Sequence, residues 1–255
     1  MTDRRERFDV GDRPRIEVSN TSGHIAIVAG DPGVIDVAID GSGDNYTVEQ
    51  YGSTVVVRPE GSFLKRIFSA DIVVRVPGGT DVEARNASGD VSIDVDAGEL
   101  DVATASGDIR VRAAAGTARL KVASGDISLD HVAGSLDVIS ASGDVRVVRV
   151  DGDVAIKSAS GDASVATVGG NVSLSSASGT LRIGRLEGED VQIRTLSGDV
   201  VIGIPPRRRI ELDMQSMSGD LRNRLPEGDG SLPEASVSIK ASSVSGDVTI
   251  QGASA

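Results

Sequence analysis

A glycine stands at every ninth position from 89 to 188, and this period constrains the fold more than any other feature of the chain. Alternate members are framed as Ser-Gly-Asp or Ser-Gly-Thr, with glycine at 89, 107, 125, 143, 161 and 179, an interval of 18. Later copies at Gly198, Gly219 and Gly246 drift to intervals of 19, 21 and 27. The second residue after each glycine is aliphatic, as in Val91, Leu100, Ile109, Ile127 and Leu136. So is the fourth, as in Ile93, Val102, Val111, Leu129 and Val138. Two apolar residues flanking one outward residue is the period of a strand rather than a helix. The seventh residue is usually small and apolar (Ala105, Ala114, Ala123), which predicts a narrow corner lining.

A strand, a turn, a second strand and a second turn in 18 residues describe one coil of an all-β, single-stranded parallel β-helix, a β-solenoid of paired nine-residue units. Each coil buries its aliphatics only by stacking on the next, so the pattern has to persist. Right-handed coiling follows from the usual chirality of parallel crossovers. The repeat divides the chain into a tail (1–14), an irregular β capping segment (15–85), the regular solenoid (86–204), and irregular C-terminal coils with a tail (205–255). A loop is predicted at Pro226–Pro233. The structural turn glycines are Gly89, Gly107, Gly125, Gly143, Gly161, Gly179 and Gly198.

Composition fits a thin, regular interior. Hydrophobic residues make up 39% of the chain but aromatics only 2%, with no tryptophan. A formal charge of −12 disfavours nucleic acid and anionic membranes as nonspecific partners. Without cysteine there is no disulfide or thiolate chemistry. No stretch approaches the ~20 apolar residues of a membrane span, and none near the start reads as a secretory signal, which points to the cytoplasm.

The segments VPGGTDVEARNASGDVSI (76–93) and IGIPPRRRIELDMQSMSGDLRNRLP, with the opening IEVSNTSGHIAI, carry a resemblance. They resemble a bacterial family of β-strand-repeat proteins of unknown function named for adhesion. The resemblance covers nearly the whole chain. It implies a solenoid with no catalytic signature and, by the family's name, a surface location.

The strongest candidate for chemistry is the aspartate after each turn glycine: Asp90, Asp108, Asp126, Asp144 and Asp162. Stacked carboxylates repel by ~1 kcal/mol per pair in water, so something must offset the row. A ladder of cations between coils is one answer. The other is that Ser and Asp side chains bond the amides of their own turn. Outward charges such as Asp94, Arg110, Arg112, Asp101 and Arg119 are expected to form surface ladders between coils. His24 and His131 have no evident partner, and Arg207–Arg209 reads as a solvated loop. Phe63, Leu64, Ile67 and Phe68 form a capping cluster or a partner contact. Neither catalytic nor cofactor-binding residues emerge. The expected role is a non-catalytic, adhesin-like binding or scaffolding module for a protein or polysaccharide. Self-assembly through the solenoid ends is the alternative, and a carbohydrate-active β-helix enzyme a remote one.

Overall fold

The computed structural model describes residues 4–60, 69–225 and 235–253. They form an all-β, solenoid-like repeat fold with parallel strands in two sheets, and no α-helix occurs among them. The expected loop at Pro226–Pro233 and the cluster Phe63, Leu64, Ile67 and Phe68 lie outside the described residues. Two compact units are distinguished, Met1–Asp130 and His131–Ala255.

In the first unit, one sheet runs Arg4–Asp9, Val34–Gly41, Ala70–Val76, Ile25–Ala29, Val91–Ala97 and Ile109–Ala114. The other runs Tyr46–Tyr51, Thr54–Pro59, Arg15–Asn20, Asp81–Ser88, Leu100–Ser106 and Ala118–Ser124. Pairing within the repeat is parallel, with Leu100 opposite Val82 and Ala118, and Ile109 opposite Val91. Among the described residues, antiparallel pairs occur only where strands from the irregular 30s to 50s join the edges. The second unit follows the same plan. Leu136–Ser142, Val154–Ser158, Val172–Ser178 and Asp190–Ser197 stack in one sheet, and Val145–Val150, Ala163–Val168, Leu181–Leu186 and Val200–Ile204 in the other.

Stacking departs from chain order in both units. The coil of Arg15–Asn20 and Ile25–Ala29 is hydrogen-bonded to Asp81–Ser88 and Val91–Ala97 on one side. On its other side lie the later-arriving strands Thr54–Pro59 and Ala70–Val76. In the second unit, Ala235–Ser245 and Val248–Gly252 insert between the coil ending at Ile204 and the coil of Arg208–Ser218 and Leu221–Arg224. The last coil in sequence is therefore not the outermost in space.

The predicted inward positions are the core. Val91, Ile109, Ile127, Val145 and Leu181 are at most 1% exposed, as are Ile93, Val102, Leu129 and Val138. Each such side chain contributes roughly 1.5–3 kcal/mol of burial. The predicted corner lining is only half right. Ala114, Val132, Val150 and Val168 are buried, but Ala105, Ala123, Ala141, Ala159 and Ala177 face solvent. Before a Ser-Gly-Asp turn the inward residue is one place earlier, because strict alternation continues to that point.

Apart from the apolar Val122, those that are fully buried are polar: Asn20, Asn86 and Thr104 in the first unit, Ser140, Ser176, Thr195 and Ser243 in the second, all 4–7% exposed. In each unit they form a polar column beside the aliphatic ones, and several tie down the next turn. Asn86 Nδ2 donates to Gly89 O at 3.0 Å and to Gly23 O at 2.8 Å, and Ser176 Oγ donates to Ser178 O at 2.8 Å. The turn glycine is set by two constraints at once. Gly107 and Gly161 hold φ of +132° and +106°, which L side chains rarely adopt. A Cβ on either would also strike the carbonyl oxygen of the glycine one coil back.

Candidate binding face

The turn aspartates do something other than bond their own turns. Asp90 Oδ1 accepts the backbone N–H of Asp108 at 2.9 Å, and Asp108 Oδ1 accepts that of Asp126 at 3.0 Å. In the second unit Asp144 Oδ1 accepts from Asp162 N at 3.0 Å, and Asp162 Oδ1 from Thr180 N at 2.7 Å. Each carboxylate thus reaches the amide at the equivalent place on the neighbouring coil. A bond from its own turn would require the side chain to fold back, whereas the stacked turns leave an amide directly along the axis. Asp153 does the same for Asn171, and Asn171 for Asp190, at the alternate turns. Charge-assisted bonds of this kind are stronger than neutral ones and offset the repulsion along the row.

Arginines take the second oxygen. Arg110 donates to Asp108 Oδ2 at 2.7 Å, Arg146 to Asp144 Oδ2 at 2.6 Å, and Arg222 to both Asp220 and Asp247 at 2.6 Å. The hydrogen bond to Asp220 and the charge of Asp247 hold the Arg222 guanidinium above its ordinary pKa. Among the described residues no group of three or more acidic or histidine side chains is arranged to hold a metal ion. The expected charge ladders join coils at Arg112–Asp94, 3.3 Å, and Arg85–Asp101, 3.6 Å.

Both histidines have partners that sequence reasoning missed. His131 Nε2 lies 2.9 Å from Asp151 Oδ2, and His24 Nε2 lies 2.8 Å from Ser92 Oγ. The hydrogen bonds from His131 and Arg149 hold the Asp151 carboxyl below its ordinary value. These partners stand about one coil away, so their proximity follows from stacking rather than from nearness in sequence. Arg208 is not a solvated loop residue either. It begins a strand and donates to Gly188 O at 2.6 Å and Glu187 O at 2.5 Å, capping a turn.

In each unit a groove lies beside the buried polar residues, on the outer face. In the second unit a groove of about 670 Å³ has Ser175, Arg194, Ser242 and Gln215 along one side. Along the other lie Ala177, Leu196, Val244 and Met217. Leu196 and Met217 are 60% and 85% exposed, and Arg194 makes no ion pair among the described residues. The first unit carries a groove of about 500 Å³ at the equivalent place, lined by Ser19, Thr21, Arg58, Arg85, Ala87 and Ala105 among others. The signal for this face was present in the sequence. The residue two before the turn glycine is alanine through most of the repeat, then leucine, methionine and valine at 196, 217 and 244.

Comparison with solved structures places the fold. A "putative adhesin" from Bacteroides fragilis NCTC 9343 aligns over 98% of this chain and 97% of its own, with 12% identity and a TM-score of 0.50. Another from Parabacteroides merdae ATCC 43184 covers 97% and 95% at 10% identity, TM-score 0.34. A "putative lipid binding protein" from Parabacteroides distasonis ATCC 8503 covers 96% of each at 14% identity, TM-score 0.32. No curated protein matches the sequence. The profile of one family spans residues 14–251, nearly the whole repeat and both irregular ends, and on that match the chain belongs to the Toastrack DUF4097 family.

Proposed function

We propose that this protein is a non-catalytic binding or scaffolding module, adhesin-like in use, whose ligand is an extended protein or polysaccharide chain. The observation that carries the reading is the groove beside the Ser-Gly turns, present in each unit at the same place on the coil. Its size falls within the range of small-molecule and chain-binding sites. One side offers hydroxyl, amide and guanidinium donors, and the other a run of exposed aliphatic groups, a division suited to a linear amphipathic chain. The registers of Leu100 with Ala118 and Leu136 with Val154 support a coil of 18 residues built from two nine-residue units. Such a coil repeats its surface at the strand spacing of ~4.8 Å, which favours ligands that repeat too.

The turn carboxylates Asp108 and Asp144 are each tied to an amide and an arginine, which favours binding over acid–base catalysis. The name borne by the Bacteroides neighbour fits a place at the cell surface. The experiment is a panel of polysaccharides and extended peptides offered to the immobilised protein, alongside an Arg194→Glu, Leu196→Ser variant. The reading expects a retained ligand that the variant releases. Retention that ignores both substitutions, or turnover of a polysaccharide into new reducing ends, would overturn it.

A further inference from the structure

Among the described residues, the outermost coil of the second unit, Arg208–Ser218 with Leu221–Arg224, is hydrogen-bonded on one side only. Its inner-register residues continue the core columns. Ile210 stands opposite Val237, Leu212 opposite Ile239, and Leu221 opposite Val248, and all three partners are at most 1% exposed. Leu212 and Leu221 nevertheless keep 37% and 45% of their surface in solvent. A bare row of backbone donors and acceptors backed by truncated core columns is a template for another strand.

We propose that this edge pairs antiparallel with the same edge of a second copy, about a twofold axis normal to the sheets. The strand is complementary to itself. Antiparallel pairing centred on Glu211 sets Ile210 opposite Leu212 of the copy, and Arg209 opposite Asp213, each twice. Arg209 is exposed and makes no ion pair among the described residues. The facing Glu211 carboxylates repel, but as a single exposed like-charge contact worth at most ~1 kcal/mol against two ion pairs.

An isologous contact closes on itself, so the product is a pair and not a filament. The outer strand of the first unit, Arg4–Asp9, reads RRERFD, and charge of that density blunts an edge against pairing. Eleven residues at ~3.4 Å, two sheets deep at ~10 Å, cover roughly 400 Å² per copy. That is about half the ~800 Å² per partner of stable complexes, so the pair is weak and forms only at high concentration.

Sedimentation of the full chain from about 1 µM to about 500 µM tests this, since weak interfaces dissociate within that range. A reversible monomer–dimer equilibrium is expected. Leu212→Lys should abolish the dimer, with the circular dichroism spectrum at low concentration showing that the coils remain folded. Arg209→Asp should weaken it roughly tenfold, and adding Asp213→Arg should restore it. If Leu212→Lys fails to fold by circular dichroism, the charge swap decides alone. Three results would overturn the proposal: growth beyond a dimer, a dimer indifferent to these substitutions, or a monomer throughout.

Discussion

Asp90 holds the backbone amide of Asp108, eighteen residues onward, in a 2.9 Å hydrogen bond. This relationship recurs at Asp108, Asp144, Asp162, Asp199 and Asp247, so the row acts as a set of clips between neighbouring turns. Removing one clip while keeping its neighbours isolates its contribution. Asp108→Ala should lower stability by about 1–2 kcal/mol, since it strands the Asp126 amide and releases Arg110. Asp108→Asn, which keeps an acceptor, should lose less. Urea unfolding of the two variants checks the order.

The same geometry bears on divalent cations. With one oxygen of each clip engaged by an amide and the other often by an arginine, added calcium should leave the calorimetric midpoint where a chelator leaves it. A calcium-dependent rise of several degrees would show that the row Asp90, Asp108, Asp126, Asp144 and Asp162 opens to bind ions.

Glycines in this fold differ in what they tolerate. Gly161→Ala combines a left-handed φ of +106° with a Cβ driven into the Gly143 carbonyl, and should cost roughly 3 kcal/mol or more. Gly52 has φ +62° and nothing within 4 Å of a built Cβ. Alanine there should cost only about 1 kcal/mol, the conformational penalty alone. Thermal melts of both variants separate crowding from conformation.

Within the polar column, the buried Ser140 Oγ has no hydrogen-bond partner among the described residues, whereas Ser176 Oγ donates to Ser178 O. Ser140→Ala should therefore be neutral or slightly stabilising. Ser176→Ala should cost about 1 kcal/mol. Equal losses in denaturant unfolding would mean that Ser140 finds a partner in solution.

Alkaline pH provides a test of the first unit. Burial raises the pKa of Tyr46 above its ordinary value of 10.0, and its hydroxyl donates to Asn20 Oδ1 at 2.5 Å. A raised folded-state value means that the folded form retains its proton longer, so stability is full below about pH 10 and is lost as pH rises beyond it. In a Tyr51→Phe background, the phenolate absorbance should appear above pH 10 and coincide with weakening of the fold. A titration centred at the ordinary value would contradict the burial.

The alternation of Val, Ile and Leu after each glycine made strands, turns and core legible from residues alone, because a repeating coil imposes one local rule many times. Several features escaped. The exposure of Ala105 and its equivalents was hidden because small side chains fit either face. The polar column was readable at Asn86, Thr104, Ser140, Ser176 and Thr195, each three before a turn glycine, but looked like turn polarity. The order of the last coils was illegible, since Ser218-Gly219-Asp220 and Ser245-Gly246-Asp247 obey the same local chemistry and only three-dimensional competition decides which stacks inward. The partners of His131 and Arg208 depend on that same stacking. The groove was the least visible, because its one signal, the change from alanine to Leu196, Met217 and Val244, is spread over coils whose neighbours in space are not their neighbours in sequence.

The insertion of late or early coils between others changes how the protein would respond to mechanical pull. Tension transmitted through the strand Ala235–Ser245 must break hydrogen bonds to Asp190–Ser197 and to Arg208–Ser218 together, rather than peeling an edge one bond at a time. In the first unit, Arg15–Asn20 is clamped in the same way between Thr54–Pro59 and Asp81–Ser88. A load applied near residue 252 therefore meets a strand gripped on both flanks, whereas Arg4–Asp9, bonded to Val34–Gly41 alone among the described strands, would peel first, and the coil behind it resists shear where a strictly sequential stack would unzip.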